Sequence, residues 1–567
     1  MLLAAMLMAF TGVSARLAHL QLLAPEAHAE RGMAQRLRTV ELPAQRGSLF
    51  DRNGNELAMS VPQQTVWADP KLVVDRAAAA ARLAPVLDME EADLLERLGN
   101  GNSRFVYLSR QVDGARGDAV EALDLDGIHL RAEPRRFRPA GALAAGVLGD
   151  VDVDGEGVSG LERRHEERLS GDPGELLVER GADGGTIAGG EQRLRPAVRG
   201  DDLVLTLDRS LQYEVERALS EQVTATGADG AMAVVMDPRS GEILAMAAVE
   251  AGAVDGTPRP TTDNPTLSDV FEPGSVSKVV TLGAVIEESV AEPDDVMSVP
   301  DSLRVGPKTF TDSSSHPTEP MSVAEVLSQS SNVGTIMLAR KMGEERLGEY
   351  LTRFGFGTTT GQDFPGETAG LIPPVESWAS TSIGSIAIGQ GIAVNAVQML
   401  GAFNVVANDG VRPEPRLVRS VVDPTGREQA EPDVEGVRVI SEETAAKMTT
   451  MLESAVGDGT GTNAQVEGYS VAGKTGTARK PSTEFRGYEP GAYTSVFAGF
   501  VPVQDPQLSI IVILDEATPY YGGVVAAPVF AEIAEYGLRL LRVPPTVAPP
   551  AEPVEVAPSA ADVPTQD

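Results

Sequence analysis

The sequence predicts an α+β protein in which helices flank an antiparallel sheet. Three observations carry that prediction. Two apolar runs, Ala231 to Met236 and Glu242 to Val249, are joined by Asp237-Pro238-Arg239-Ser240-Gly241, a turn composition between two strands. A second pair, Thr494 to Val501 and Leu508 to Leu514, folds back around Asp505-Pro506. Elsewhere apolar residues recur at helical spacing: Leu211, Val215, Leu219 after the cap residue Asp208; Val279, Leu282, Val285, Ile286 after Ser275; Val529, Ile533, Leu540 within Val524 to Leu541. Each such helix has an apolar stripe to bury, and a sheet face is the surface available.

Composition sets outer limits. A chain of 567 residues is too long for one core and should hold two or more domains. Hydrophobic content of 42% and charged content of 23% are ordinary for globular protein. The net charge of −35 argues against nucleic acid as a partner, because phosphate binding needs a basic face. The absence of cysteine excludes disulfides and thiolate metal sites. Five histidines are scattered without an H-x-x-x-H pair, and only His316 lies near the motifs described below, so neither a metal site nor a Ser-His-Asp triad is indicated. Glu162-x-x-His165 is half of a di-iron pattern and reads as a solvated helix face.

In chain order, Met1 to Ala15 carries no charge, and only Arg16 and His19 interrupt the apolar run from Leu2 to Ala24. A membrane span needs about 20 apolar residues, normally with basic residues preceding it. Residues 1–24 are short for such a span and no basic residues precede them, and Val13-Ser14-Ala15 also fits a signal-peptidase site, so the run suits a truncated anchor or a cleaved signal. Asn53-Gly54, between strand-like flanks, is a hairpin turn. Asp202 to Leu207 is a strand. Ser322-x-x-Glu325 is a capping box that opens a helix with Val323, Val326 and Leu327. Ser330-Ser331-Asn332 ends that helix or turns out of it. Gly355-Phe356-Gly357 and Gly389-Gln390-Gly391 read as turns, and Tyr469 to Thr477 as a strand. Beyond Val543 the Pro-, Ala- and Glu-rich composition predicts a disordered tail, 543–567.

The chemistry centres on Phe271-Glu272-Pro273-Gly274-Ser275-Val276-Ser277-Lys278. The Pro-Gly turn places Ser275 at a helix N-terminus, and Lys278 lies one turn up the same face. A serine hydroxyl is a weak nucleophile until a base takes its proton, and a neutral lysine one turn away can be that base. Of the seven lysines only Lys278 has a serine three residues before it. The same residues also suit a helix cap followed by a surface lysine. Two further motifs follow in order: Ser330-Ser331-Asn332, an S-x-N, and Lys474-Thr475-Gly476-Thr477, a K-T-G-T. Gly468 to Thr475 also fits the phosphate-binding G-x-x-x-x-G-K-[ST], but that loop needs a helix immediately after it. The sequel Gly476 to Ser482 is polar and holds Pro481, so the stretch reads better as a strand edge, with Lys474 and the threonine hydroxyls facing a cleft.

The order S-x-x-K, S-x-N, K-T-G is a signature of penicillin-binding proteins and class A β-lactamases. Arg46-Gly47-Ser48-Leu49-Phe50-Asp51-Arg52-Asn53-Gly54-Asn55-Glu56-Leu57-Ala58, Arg136-Phe137-Arg138-Pro139 and Gly157-Val158-Ser159-Gly160-Leu161-Glu162 match an N-terminal module as well. The chain resembles class B penicillin-binding proteins, the monofunctional D,D-transpeptidases that cross-link peptidoglycan, and is most similar to the division-specific FtsI type. The resemblance implies a penicillin-binding (serine-transpeptidase) fold at 201–542, preceded by a β-rich dimerisation or pedestal domain at 40–200 and a single-pass anchor in the cytoplasmic membrane, with the catalytic domain outside. It implies Ser275 as nucleophile on the carbonyl between the last two D-alanines of a stem peptide, and Lys278 as its base. Ser330 relays a proton to the leaving amine, and Asn332 holds Lys278 and the substrate amide. Lys474 supplies positive potential, Thr475 and Thr477 bind the terminal carboxylate on the Thr475-Gly476-Thr477 edge, and the amides of Ser275 and Thr477 form the oxyanion hole. No cofactor is implied. The implied partners are D-Ala-D-Ala stem peptides, β-lactams, an FtsW-type glycosyltransferase and other division proteins. A D,D-carboxypeptidase or β-lactamase shares the motifs; the pedestal and anchor argue against both, and the length against a β-lactamase. An inactive scaffold or sensor would lose a motif, and none is lost here. Elongation and sporulation transpeptidases share all three motifs.

Overall fold

The computed structural model of the chain describes residues 1–18, 36–99, 103–179, 192–253, 256–432, 434–482 and 487–547. The apolar N-terminal run forms a fully exposed helix, Leu2–Ala18, of 17 residues. No helix among the described residues is long and apolar enough to cross a membrane. Residues 19–24 of the expected anchor, and 548–567 of the expected tail, lie outside the described residues.

The hairpin read at Asn53-Gly54 is present as β1 (Leu49–Phe50) and β2 (Glu56–Val61), paired antiparallel. Gly54 has φ +82°, and the buried Asp51 carboxylate accepts the amides of Asn53 and Asn55 at 2.8 Å each, so the turn is fixed from inside. The three motif segments of the N-terminal module converge on one buried ion-pair network. Arg46 Nε and Arg136 Nε each donate to Glu162 at 2.7 Å, and Arg136 Nη1 donates to the Gly47 carbonyl at 2.7 Å. Glu162 is 1% exposed, which corrects its reading as a solvated face: helical spacing reports which residues share a turn, not which distant cations cover them. The module is also less purely β than expected. The alanine-rich helix Arg76–Leu87, with Glu91–Leu98 and Gly114–Glu121, accompanies the three-stranded sheet Val106–Val112, Gln64–Ala68, Ile128–Ala132, around a core that includes Leu83, Leu94 and Leu108.

The next strand, β3 (Asp202–Leu205), pairs parallel with β1 and antiparallel with Val418–Val422, so one six-stranded sheet runs across the junction of the two units. The hairpin turn docks on the second unit at three consecutive residues. Asp51 accepts the Arg209 amide at 3.2 Å, Arg52 pairs with Glu242 at 3.2 Å, and Asn53 Nδ2 donates to Asp208 at 2.8 Å.

Asp208 caps α1 (Arg209–Thr226) by accepting the amides of Ser210 and Leu211. The first hairpin forms as expected from β4 (Gly230–Met236) and β5 (Ile243–Glu250). α2 (Lys278–Glu287) follows the Ser275 turn, and β6 (Lys308–Thr311) lies in a small hairpin beyond it. The capping box is present in both directions at α3 (Val323–Ser328): Glu325 N donates to Ser322 Oγ and Ser322 N to the Glu325 carboxylate. A further helix, α4 (Asn332–Met342), begins inside the S-x-N motif with Ser331 as its cap, where the sequence suggested only an exit from α3. The strand expected from Tyr469 starts at Ala472 and continues to Pro481 as β7. No helix follows Thr475, so the phosphate-loop alternative fails. β8 (Tyr488–Val501), β9 (Leu508–Asp515) and α5 (Ala527–Leu540) complete the unit.

The central sheet has the order Arg259–Pro260, β5, β4, β9, β8, β7, with every pair antiparallel. Both faces are covered. Val234, Met236, Ile511 and Ile513 pack into the cluster that holds α2 and α4, while the alternate residues Ala233, Val235, Ile510 and Val512 pack into the cluster that holds α1 and α5. Burial on both faces explains why β9 reads as an unbroken apolar run rather than alternating. β7, which carries K-T-G-T, is the edge strand.

Candidate active site

The Ser275 turn is built by what α2 cannot expose. Every residue from Lys278 to Ile286 is buried, so α2 is a core helix and its first turn is pinned at the sheet edge. Gly274–Ser277 form one 3₁₀ turn ahead of it, with Gly274 at φ +55° and its amide donating to the Gly389 carbonyl at 3.0 Å. Gly389, read only as a turn residue, is required here: a Cβ would stand 2.3 Å from the Gly274 carbonyl oxygen. The Ser275 side chain is half-buried, and its hydroxyl makes no hydrogen bond to a described residue.

Lys278 is 0% exposed. Its Nζ donates to the Ser330 carbonyl at 2.6 Å, to Ser330 Oγ at 3.3 Å and to Asn332 Oδ1 at 2.8 Å. The S-x-x-K and S-x-N motifs are therefore joined through one buried amine. Burial drives the Lys278 ammonium well below the ordinary lysine range, the Lys474 charge pushes it the same way, and Asp312 opposes both. Ser330 is held in the left-handed region at φ +62°, where α3 ends with Ser330 N on the Leu327 carbonyl and Ser331 N on the Val326 carbonyl. That is a Schellman turn with serine in the place glycine usually takes, a conformation worth about 1–2 kcal/mol of strain in a residue with a Cβ. The strained turn aims the Ser330 carbonyl at Lys278.

Lys474 is also 0% exposed, and burial pushes its ammonium down to about 7. Its Nζ lies 3.3 Å from Thr475 Oγ1 and 3.4 Å from Thr460 Oγ1, and the two hydroxyls are 2.6 Å apart. Thr477 Oγ1 accepts the Gly522 amide at 3.1 Å. Gly476 lets β7 lie against the Ser275 turn: a Cβ there would sit 3.1 Å from the Pro273 carbonyl oxygen and from Val276 Cγ1. Ser330 and Asn332 thus meet around the Lys278 amine, one turn from Ser275, and the Lys474–Thr477 edge packs on the turn that presents Ser275.

Sequence reading missed three neighbours of this centre. Thr460 joins Lys474 and Thr475. Asp312 sits behind the S-x-N motif. Glu272, next to the Ser275 turn, accepts the Gly391 amide at 2.9 Å and the Tyr488 hydroxyl at 3.0 Å, and burial pushes its carboxyl up. Thr460 and Asp312 lie outside any recognised pattern, and Glu272, though inside the central stretch, carried no local signal of a role. Away from the centre, Asp229, Asp515 and Glu516 bring three carboxylates together, and Lys480 Nζ pairs with two of them at 2.8 and 2.7 Å.

Two family descriptions match the chain. Residues 231–535 match the penicillin-binding protein transpeptidase domain, and residues 41–205 the penicillin-binding protein dimerisation domain. The penicillin-binding protein PbpB of Mycolicibacterium smegmatis is 36% identical over 91% of this chain and 86% of its own length. The peptidoglycan D,D-transpeptidase FtsI of Escherichia coli K12 is 32% identical over 95% of this chain and 91% of its own. The crystal structure of penicillin-binding protein 3 from Mycobacterium tuberculosis, complexed with aztreonam, superposes with a TM-score of 0.70 at 32% identity, over 90% of this chain and 100% of that one. Two domains in this order, and whole-length relatives named as peptidoglycan D,D-transpeptidases, show that the chain belongs to the class B penicillin-binding proteins.

Proposed function

We propose that this peptidoglycan D,D-transpeptidase works through an acyl-enzyme on Ser275, with Lys278 as the base. The observation that carries the reading is the Lys278 amine itself. It is buried, one turn from Ser275, and held by Ser330 and Asn332 at 2.6 and 2.8 Å. An amine driven below its ordinary range has a neutral fraction that can accept the Ser275 proton. Ser275 Oγ then attacks the carbonyl of the D-Ala-D-Ala bond. The amides of Ser275 and Thr477 hold the developing oxyanion, a contribution of about 10²–10³ in rate per donor in other acyl-transfer enzymes. The proton returns to the departing D-alanine amine through Ser330, and the acceptor amine of a second stem peptide completes the transfer. Thr475 and Thr477, on the strand that Gly476 brings against the turn, bind the terminal carboxylate beside the Lys474 charge. β-Lactams enter the same site and remain on Ser275. A fluorescent penicillin should label the purified protein, and Ser275→Ala should abolish labelling; an SDS-stable adduct on the alanine variant would show another nucleophile.

The same reading assigns 40–200 to the pedestal, 201–542 to the transpeptidase unit and 1–24 to part of an anchor in the cytoplasmic membrane, with an FtsW-type glycosyltransferase and other division proteins as partners. The similarity to FtsI supports a septal role. Depletion should then give filaments; rounded cells would indicate elongation instead.

A further inference from the structure

Asp312 follows β6 directly and touches none of the three motifs in sequence, yet its carboxylate gathers the S-x-N segment. Oδ1 accepts the amides of Asn332 and, at 2.9 Å, Val333. Oδ2 accepts the Ser331 hydroxyl at 2.7 Å and lies 3.0 Å from His316 Nε2. The neighbouring Thr311 carbonyl accepts Asn332 Nδ2 at 3.0 Å. That contact fixes which end of the amide faces Lys278: with Nδ2 spent on Thr311, Oδ1 is the atom that accepts the hydrogen bond from Lys278 Nζ. Asp312 thus holds the amide that begins α4, the cap that starts it and the residue that grips the base.

We propose that Asp312 is a positioning residue for Lys278, and that His316 sets how much of the Asp312 charge the lysine feels. The proposal rests on Lys278 being the base. Position and charge act in opposite senses. The hydrogen bonds hold Asn332 and the strained Ser330 carbonyl where they grip the amine. The carboxylate charge favours the ammonium, the unreactive form. His316 lies between. Its Nε2 faces Asp312, while its Nδ1 faces the Pro317 carbonyl at 2.8 Å and the Glu319 carboxylate at 3.3 Å. Both ring nitrogens meet acceptors, which favours the imidazolium, and the Pro317 and Asp312 contacts hold it above the ordinary histidine range. The charges that face Lys278 are Lys474 from β7 and Asp312; those around His316 are Asp312, Glu319 and Asp301, which accepts the His316 amide at 3.1 Å. An imidazolium beside Asp312 offsets the carboxylate and leaves the lysine freer to lose its proton.

The test is the pH profile of acylation by a fluorescent penicillin, from about pH 5 to about pH 10, below the ordinary lysine value. It is run on the parent, Asp312→Asn and His316→Gln, with thermal melts beside it. Asp312→Asn should lower the acylation rate about 10-fold or more, the loss expected when a charge-assisted network is broken. It should also move the acid limb to lower pH, because the charge that stabilises the ammonium is gone. His316→Gln should move the acid limb to higher pH, because the Asp312 charge is no longer offset. A change confined to the melt would show a merely structural role, since stability alone does not move a titration midpoint. An acid limb that stays at the parent pH in either folded variant overturns the proposal; if Asp312→Asn does not fold, the His316→Gln profile decides. A parent profile without an acid limb would instead defeat Lys278 as the base, so the two failures are distinguishable.

Discussion

The fully buried Lys474 makes a prediction that needs no catalysis to test. Burial pushes its ammonium down to about 7 in the folded chain, against an ordinary value of 10.5 when unfolded. Between those values the unfolded chain holds a proton that the folded chain has lost, so folding stability rises with pH through the window. At about 1.36 kcal/mol per pH unit the full difference is about 5 kcal/mol, most of it between pH 7 and pH 10. Lys474→Met keeps the length of the side chain and removes the proton. The variant should therefore show a flatter dependence of denaturation midpoint on pH across that window. The hydrogen bonds lost to Thr460 and Thr475 subtract a constant and leave the slope untouched. Lys278 contributes a slope of the same sign, and the loss of the Lys474 charge beside it shrinks that share too, so both effects flatten the curve. The measurement is a series of thermal or denaturant midpoints at fixed protein concentration, parent against variant. Parallel curves for the two proteins would refute the argument that Lys474 sheds its proton on folding.

Three more perturbations follow from the same geometry. Lys278→Arg keeps a positive charge that cannot be lost, so acylation should fall by at least about 10²-fold while circular dichroism stays native; near-normal acylation would move the base elsewhere. Ser330→Gly should relieve the left-handed residue and raise stability by about 1 kcal/mol in thermal melts, while slowing acylation because the hydroxyl at 3.3 Å from Lys278 is gone. Glu162→Gln leaves the buried Arg136 without a counter-charge and should destabilise the pedestal by about 3–5 kcal/mol, seen as an earlier melt or faster proteolysis of that unit.

Local chemistry made much of the site legible. Ser275 and Lys278 share one turn, and that nearness was written in a four-residue spacing. The S-x-N and K-T-G-T segments were recognisable only because their order is a known signature; nothing in their spacing says that Lys278 Nζ meets a carbonyl 52 residues away. Asp312, Thr460 and Glu272 were invisible for that reason. Each acts through one side chain on a distant partner. The hairpins β4–β5 and β8–β9 and the capped helices α1 and α3 were read correctly because turn and cap residues act within a few positions. α4 was missed because its cap, Ser331, sits inside a polar trio that looks like an exit from the preceding helix. Glu162 was misread because its arginines come from positions 116 and 26 residues away.

The sheet that spans the two units is also a mechanical part. A hinge needs a few residues whose φ and ψ absorb a rotation. Here the crossing is a ladder: β3 is bonded to β1 on one side and to Val418–Val422 on the other. Tilting one unit against the other shears several hydrogen bonds at once, along with the docked Asp51-Arg52-Asn53 turn. A load applied to the N-terminal unit therefore passes into the second unit through these paired strands and contacts, without the slack of a tether. The spacing of the two units is set by strands paired across their junction and not by the statistics of a flexible linker.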